Sequence, residues 1–528
     1  MTSVLENRLN RQTLILGIVL GLVLLVSITA SLFFKQPYLW MDEVLSYTLL
    51  SDPSRAHMSN AMVSNMDSNP PVYFNVVWTL AHLISLNQYF LRAVSIAFFA
   101  LAIVLFYRHT TRLIKTPLTN FFVFTLVISL TYLNYTLSTQ IRSYGLYFLM
   151  SCLFFIAAHP LIKNPGNIRY LALHFLAGSF LVMTHNFGSL YVAASFSFFA
   201  LLYFWSRWQA YWWVALSHVL IFGVWLVLWY PSFQIQSLSG KPWSWIPEPT
   251  IMIFFKTVGE IIPTLSYRIE KSLTFIPVLR VLLIVGLFFY IAVPRLKKGF
   301  RAVIQDDAFS FYLMAGWIAL ATAGATVVVS YAYLSVFLSR YQWPSHLLLL
   351  FQLTYAVSLL VPVVKWPAKA YRFVPLYVVG LMAFMFFQNR KVVHFPSGII
   401  DYLPKNEANL PIFFESADYF LPIWQHKVAN AHYLMHRKTV LMRDNLKNMS
   451  TDYNLFVSLR GKYNVRQVVW TKEFTKERFP HFYVVDEASR NQVEYLIANH
   501  YIKVLKVIPV PIPEHRILEC EFIKGPAW

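Results

Sequence analysis

The sequence is poor in charge and in cysteine, and each scarcity excludes a class of protein. Only 13% of its 528 residues are charged, which is too few for an ordinary water-soluble domain. The two cysteines, Cys152 inside an apolar run and Cys520 near the C-terminus, exclude a disulfide framework. No internal repeat or low-complexity tract is present, which argues against a repeat architecture.

Hydrophobic residues take the place of the missing charges. They make up 57% of the chain, and the mean hydropathy is +0.51, so the lipid bilayer is its main solvent. Lysine and arginine outnumber aspartate and glutamate by 44 to 24. In a membrane protein, cytoplasmic loops and anionic lipid headgroups explain such an excess, and nucleic acid is not needed as a partner.

Eleven apolar runs predict transmembrane helices. They cover residues 14–34, 90–107, 119–138, 143–162, 170–186, 188–205, 210–230, 272–293, 308–330, 343–362 and 370–387. A further segment, Val72–Leu86, has about 15 residues, fewer than the roughly 20 that a perpendicular span needs. If this segment lies at the interface, the later basic loops all fall in the cytoplasm, as the positive-inside rule requires.

The same threading predicts which regions face outward. It places residues 35–89, 139–142, 185–188, 231–271, 331–342 and everything after 388 on the outer side. The tail differs from the rest, because charges are dispersed among short apolar stretches at Pro411–Phe414, Gln467–Trp470 and Phe482–Val485 that predict strands. We therefore expect a membrane domain over 1–387 and an extracytoplasmic α/β domain over 388–528.

Two adjacent carboxylates, Asp42 and Glu43, follow the first predicted span. An acidic pair at a membrane surface can deprotonate a hydroxyl or hold a metal ion, because its pKa values are easily tuned there. A solvated loop, or a helix cap formed by Asp42, explains the pair equally simply. The same loop continues through Asp67, Asn69 and a double proline, for which the structural explanation is a helix start.

Three arginines are predicted on the outer side, where basic residues are scarce. They are Arg92, Arg142 and Arg340, and Tyr341 follows the last of them. Guanidinium groups bind phosphate bidentately and stay charged, so a phosphorylated ligand explains them. Lipid headgroups are the ordinary alternative, and for Arg92 so is a side chain that reaches toward those headgroups.

The remaining candidates are less specific. His185 lies at a predicted outer turn and either packs structurally or faces the substrate, and Trp243 and Trp245 are candidates to line a sugar site. No histidine spacing resembles a metal ligand set, so we assign no metal residue. We place Asp67, Asn69, Tyr144 and His185 among the substrate-binding candidates.

Several of these motifs together resemble the GT-C membrane glycosyltransferases, in particular the protein O-mannosyltransferases and the bacterial transferase that adds aminoarabinose to lipid A. The motifs are Trp40–Ser46, Asn69–Phe74, Leu91-Arg92 with Ser95, Ile141–Tyr144 and Arg340-Tyr341. They cover about the first two-thirds of the chain in order and spacing. The sequence departs from the mannosyltransferases at Asn69, where those enzymes often have histidine, and it lacks an inserted sugar-binding module.

The resemblance implies juxtamembrane helices in the outer loop 35–89 and an active site at the outer leaflet. It also implies a sugar donor carried on polyprenyl phosphate and a catalytic base at Asp42, with Glu43 positioning neighbouring groups. The expected reaction is an inverting transfer to a hydroxyl of a glycan, lipid or protein, in a multi-pass protein of the bacterial inner membrane. No organic cofactor is implied, and a divalent cation is conceivable although too few ligands are evident.

Two other classes of function remain as alternatives. A transporter or lipid flippase would place ionisable residues near the bilayer midplane and often shows repeated halves, whereas the candidate charges here cluster at one face. A receptor or assembly protein on the same scaffold is the other alternative.

Overall fold

The structure is a computed structural model that describes residues 2–33, 38–240, 246–264, 275–360, 368–390, 399–405, 409–435, 447–487 and 492–525. Its helices are α1 (Thr2–Phe33), α2 (Met41–Leu50), α3 (Arg55–Ala61), α4 (Val72–Leu83), α5 (Gln88–Ile114), α6 (Pro117–Ser129), α7 (Tyr132–Ser138), α8 (Tyr144–Ala158), α9 (Ile168–Val182), α10 (Gly188–Ser206), α11 (Tyr211–Leu228), α12 (Tyr230–Gly240), α13 (Ile251–Gly259), α14 (Phe275–Leu296), α15 (Phe300–Gln305), α16 (Asp307–Ala332), α17 (Ser345–Leu360), α18 (Val374–Arg390), α19 (Ile399–Tyr402), α20 (Ala417–Gln425), α21 (Lys447–Tyr463) and α22 (Gln492–Ala498).

The strands and tight turns complete the fold. The strands are β1 (Ile412–Phe414), β2 (Ala431–Leu434), β3 (Val468–Val469), β4 (His481–Glu487), β5 (Ile502–Pro509) and β6 (His515–Phe522). Short segments of 3-10 helix are formed by His159–Ile162, Ser339–Gln342, Ala368–Phe373 and Thr471–Glu473, and Met62–Met66 forms a π-helical turn after α3.

The chain is a polytopic helical membrane protein. Among the described residues, eight helices are long and apolar enough to span a bilayer: Leu9–Phe33, Gln88–Ile114, Tyr144–Ile162, Gly188–Ser206, Tyr211–Leu228, Phe275–Leu296, Asp307–Ala332 and Ala370–Asn389. The pair α6 and α7 qualifies as a ninth span with a 74° bend, and Ile168–Val182 and Ser345–Leu359 are shorter apolar helices. These eleven elements coincide with the eleven predicted apolar runs, so the predicted fold class is confirmed.

The ambiguous segment after the double proline is the short helix α4. It has 12 residues and is therefore about 18 Å long, well below the thickness of about 30 Å of a bilayer core. Pro71 precedes its first residue, which fits the expected role of the prolines at a helix start. This length agrees with the interpretation of the segment as a helix that does not cross.

The chain divides into two compact units. The first unit contains residues 1–35, 69–231 and 246–392, and the second contains 36–68, 232–245 and 393–528. We call residues 38–68 the acidic loop and residues 399–525 the sheet domain. The sequence predicts a membrane domain that includes the acidic loop, whereas in the structure this loop is part of the same unit as the sheet domain.

The sheet domain is a small α/β fold. Its strand order is β3-β2-β1-β4-β6-β5. Strands β3, β2, β1 and β4 run parallel to one another, and β6 runs antiparallel to both of its neighbours, β4 and β5. Apolar side chains of the sheet, including Phe413, Phe482 and Phe522, are buried together with Phe474. The predicted strands at β1, β3 and β4 are confirmed, and β2, β5 and β6 were not predicted.

Candidate active site

The second unit holds the acidic pair in the first turn of α2. The main-chain N–H of Trp40 donates to Oε2 of Glu43 at 3.1 Å, so Glu43 caps the helix start. Glu43 is fully buried, whereas the neighbouring Asp42 is only half-buried. The two carboxylates therefore differ: Glu43 stabilises the helix start, whereas the side chain of Asp42 remains partly accessible.

Asp67 ends the π-helical turn that follows α3. Its carbonyl accepts a hydrogen bond from Nε2 of Gln236 at 2.8 Å, and the same amide donates to the carbonyl of Met62 at 3.1 Å. Within this turn Asn65 has φ of 76°, a left-handed conformation that asparagine adopts more readily than most residues. Asp67 itself is buried, and the two hydrogen bonds from Gln236 hold the backbone on either side of the turn.

The first unit holds an aromatic cluster around His185, in the short connection between α9 and α10. The His185 ring stacks on Tyr147 with centroids 4.5 Å apart and lies 5.5 Å from Tyr341. Tyr144 lies 6.0 Å away on the same helix as Tyr147, and Phe187 packs against Tyr341 at 4.8 Å. His185 is therefore enclosed by rings from α8 and from the turn Ser339–Gln342.

Arg142 and Arg340 accompany this cluster. Arg142 lies between α7 and α8 and is 9% exposed, and the Arg340 guanidinium lies 5.2 Å from the centre of the Tyr341 ring. Burial and, to a smaller extent, the positive charges of Arg142 and Arg340 together lower the pKa of His185 to about 3. The histidine is thus neutral beside two permanent cations, and the arrangement favours an anionic ligand.

The tautomer of His185 follows from its hydrogen bond. The main-chain N–H of Phe187 donates to Nδ1 of His185 at 3.1 Å, so Nδ1 is the acceptor and Nε2 carries the proton of the neutral ring. His185 is therefore a neutral donor that adds no charge of its own.

The turn that carries Arg340 and Tyr341 is fixed by side chains from several helices. The Tyr147 hydroxyl donates to the carbonyl of Tyr341 at 3.1 Å, and the Tyr191 hydroxyl donates to that of Gln342 at 3.0 Å. The indole N–H of Trp343 donates to Oδ1 of Asn134 at 2.8 Å. Donors held in this way need little reorganisation when a ligand binds.

Arg92 and Asn69 lie in the same unit. Arg92 is only 1% exposed, so protein atoms cover it, and the alternative of a side chain reaching lipid headgroups is wrong. Arg92 lies on α5, one turn before Ser95. A Cβ added at Gly145, the residue after Tyr144, would lie 2.7 Å from the carbonyl of Ser95, so α5 and α8 approach closely here. The main-chain N–H of Val72 donates to the carbonyl of Met183 at 3.1 Å, which brings the α4 start to the connection that carries His185.

The predicted residues are thus distributed over both units. The structure gathers Arg142, Tyr144, His185, Arg340 and Tyr341 in one group, which we call the cationic cluster. Arg92 and Asn69 belong to the same unit as this cluster, and Asp42, Glu43 and Asp67 belong to the other.

Tyr147 and Phe187 were not among the predicted site residues, although Tyr147 follows Tyr144 at the spacing of one helical turn. Trp243 and Trp245 lie outside the described residues. Within the described part of the chain, no group of three or more histidine, cysteine or acidic side chains is arranged to hold a metal ion.

Solved structures of ArnT, the lipid A aminoarabinose transferase, are similar to this chain. ArnT from Cupriavidus metallidurans bound to undecaprenyl phosphate aligns with a TM-score of 0.54 and 13% identity, over 97% of this chain and 99% of that chain. The apo state of the same enzyme aligns with a TM-score of 0.54 and 14% identity, over 96% of this chain and 97% of that chain. No protein-family model matches, and the comparison with curated proteins finds no relative. The chain therefore has the fold of ArnT, a GT-C enzyme, which confirms the predicted resemblance at the level of the fold.

Proposed function

We propose that the chain is an inverting glycosyltransferase that moves a sugar from a polyprenyl-phosphate donor to a hydroxyl of a glycan, lipid or protein. The observation that carries the proposal is the cationic cluster, in a protein whose fold is that of a transferase crystallised with undecaprenyl phosphate. A group of buried and partly buried arginines with neutral hydrogen-bond donors suits a lipid phosphate, because the donors can bond its anionic oxygens and the positive charges compensate its charge.

The proposed reaction is a single displacement at C1 of the sugar. Asp42 accepts the proton of the acceptor hydroxyl, and the oxygen forms a bond to C1 as the bond between C1 and the phosphate oxygen breaks. The departing lipid phosphate keeps the electron pair, and Arg142 and Arg340 stabilise its charge together with Arg92 and Tyr341. Attack opposite the leaving group inverts the configuration at C1. Half-burial of Asp42 supports its role as base, because a fully enclosed carboxylate has no access to an acceptor.

The remaining candidates are assigned to substrate contacts. His185 donates from Nε2 to the phosphate or to a sugar hydroxyl without adding charge. Tyr144 and Asn69 line the sugar, and Asp67 and Glu43 hold the acceptor side in place.

A glycosyltransferase and a flippase differ in what happens to the donor. Purified protein in nanodiscs is incubated with a polyprenyl-phosphate sugar that carries a labelled sugar and with envelope glycans and lipids as acceptors. We expect the label on an acceptor and free polyprenyl phosphate in equal amount. In sealed liposomes a flippase would instead move the intact donor between leaflets and leave its sugar in place, and this result would overturn the proposal.

We further propose that the active site and the sheet domain face the outer side of a bacterial inner membrane. The support is the distribution of basic residues among the loops, such as Arg295, Lys297 and Lys298 after a predicted span. Lys297→Cys should react with an impermeant thiol reagent only from the cytoplasm, and Lys427→Cys only from outside. Both positions are exposed, and the native cysteines Cys152 and Cys520 are buried. The opposite labelling pattern would invert the topology.

A further inference from the structure

The acidic loop and the sheet domain belong to one compact unit, and hydrogen bonds with the sheet domain hold both ends of α2. Before the helix, the main-chain N–H of Leu39 donates to Nε2 of His426 at 3.1 Å. The ring of Tyr38 meets the same imidazole edge-on at 4.9 Å. Leu39 is buried and lies three residues before Asp42, so His426 fixes the chain just where it enters the helix.

A second group of contacts holds the other end of α2. Asp52 follows the helix, is buried, and accepts hydrogen bonds from the Tyr463 hydroxyl at 2.9 Å and from Nδ1 of His57. The main-chain N–H of Ser54 donates to its other oxygen at 2.9 Å. Burial alone would raise the pKa of Asp52, but these hydrogen bonds outweigh burial and lower it. The charged carboxylate is therefore held by three donors, one of them from the end of α21 in the sheet domain.

Contacts farther along the acidic loop have the same origin. Ser458 of α21 donates to the carbonyl of Ser64, and Nζ of Lys462 donates to Oδ1 of Asn60 at 2.6 Å. Helix α20 of the sheet domain packs along α2 itself. Three successive parts of the acidic loop thus depend on side chains that lie about 400 residues later in the chain.

We propose that the sheet domain positions the helix that carries Asp42 and Glu43, with His426 and Tyr463 as the positioning residues at its two ends. Neither residue touches the reacting atoms in this account. Helix α2 is short, and its N-terminus is capped by its own Glu43. The orientation of Asp42 therefore depends on how the whole helix is anchored. The kinetic part of this inference rests on the proposed function, and the structural part does not.

The test uses the full-length protein and two substitutions. Tyr463→Phe removes one hydroxyl that bonds a charged carboxylate, and His426→Leu removes the acceptor for Leu39. We expect amide hydrogen exchange of the segment 38–50 to become about tenfold faster in each variant, while the strands of the sheet domain keep their protection. His426→Gln, whose side-chain oxygen can accept from Leu39, should restore most of the protection.

Matched controls exist in the same domain. The Tyr419 hydroxyl bonds Nε2 of His515 at 3.2 Å, and His481 bonds Glu519 at 2.9 Å, both within the sheet domain. Tyr419→Phe and His481→Leu should leave exchange in segment 38–50 unchanged. Unchanged exchange in Tyr463→Phe and His426→Leu, or an equal acceleration in the controls, would overturn the inference.

Kinetics add a readout that a purely structural role would not produce. In Tyr463→Phe and His426→Leu, turnover should fall about tenfold while donor affinity stays within about twofold, and His426→Gln should recover turnover. A parallel loss of donor affinity would contradict positioning of Asp42 alone. If the wild-type protein transfers no sugar, the proposed function fails, and the exchange measurements still decide whether the sheet domain positions α2.

Discussion

The two compact units use their polar side chains in opposite ways. In the first unit aromatic rings surround His185 of the cationic cluster, and the turn that carries Arg340 is fixed by hydrogen bonds from Tyr147 and Tyr191 to its backbone carbonyls. In the second unit Asp42 is half-buried on a short helix whose two ends form hydrogen bonds with the sheet domain. A phosphate is a fixed anion that gains most from preorganised donors, whereas a base must meet different acceptor hydroxyls. The difference therefore fits the proposed roles, in which residues of one unit bind the donor and a residue of the other removes the acceptor proton.

The largest effect on donor binding is expected from removing one arginine of the cationic cluster. Arg142→Ala or Arg340→Ala should weaken binding of a polyprenyl-phosphate sugar by about 1.5–3 kcal/mol, the usual effect of losing a charge-assisted hydrogen bond. Lysine should rescue each only in part, because it lacks the bidentate fork. The measurement is a dissociation constant from a labelled donor analogue.

The control for this prediction is Arg169→Ala, which removes an exposed arginine at the start of α9. It should bind the donor like the wild type. Unchanged affinity in both Arg142→Ala and Arg340→Ala would remove these residues from the site and leave the cationic cluster without its proposed ligand.

A smaller effect is expected from the close approach of α5 and α8. A Cβ at Gly145 would lie 2.7 Å from the carbonyl of Ser95, so Gly145→Ala must push apart the helices that carry Arg92 and Tyr144. Overpacking of this kind costs about 1–3 kcal/mol of stability and should also weaken donor binding. Gly223→Ala is the matched control, because nothing lies within 4 Å of the added methyl. Equal apparent unfolding temperatures for the two variants would contradict the close packing.

The smallest effect concerns pH. The pKa of His185 in the folded protein is about 3, below its ordinary 6.5, so the unfolded chain binds a proton that the folded one excludes. Stability should therefore fall as pH decreases from 6.5, by at most about 1.4 kcal/mol per pH unit from this residue. In the second unit, the lowered pKa of Asp52 has an effect only below its ordinary 3.8. The measurement is the apparent unfolding temperature of the wild type and of His185→Gln from pH 7 to 5. The difference between the two proteins isolates the contribution of the histidine, and a difference that does not change with pH would contradict its burial as a neutral ring.

The membrane helices were predictable because a bilayer demands long apolar runs, and the runs stand out in the sequence. Strands β1, β3 and β4 were predictable because short apolar stretches mark them among dispersed charges. Strand β5 was missed because Lys503 and Lys506 interrupt its apolar residues on an exposed edge. Arg142 and Arg340 were selected because basic residues are scarce on the predicted outer side. The stacking of Tyr147 on His185 could not be predicted, because it depends on how α8 is rotated about its axis. The grouping of the acidic loop with the sheet domain rests on single contacts such as Asp52 with Tyr463, which no local pattern encodes.

The central claim is that Asp42 removes the acceptor proton, and the most direct measurement is turnover and donor affinity of Asp42→Asn side by side. Asparagine keeps the size and hydrogen bonding of aspartate but cannot accept the proton. General-base catalysis contributes about a hundred- to ten-thousand-fold in rate, so turnover should fall by that factor while donor affinity and expression stay at wild-type values. Near-normal turnover of folded Asp42→Asn with the true acceptor would contradict the account.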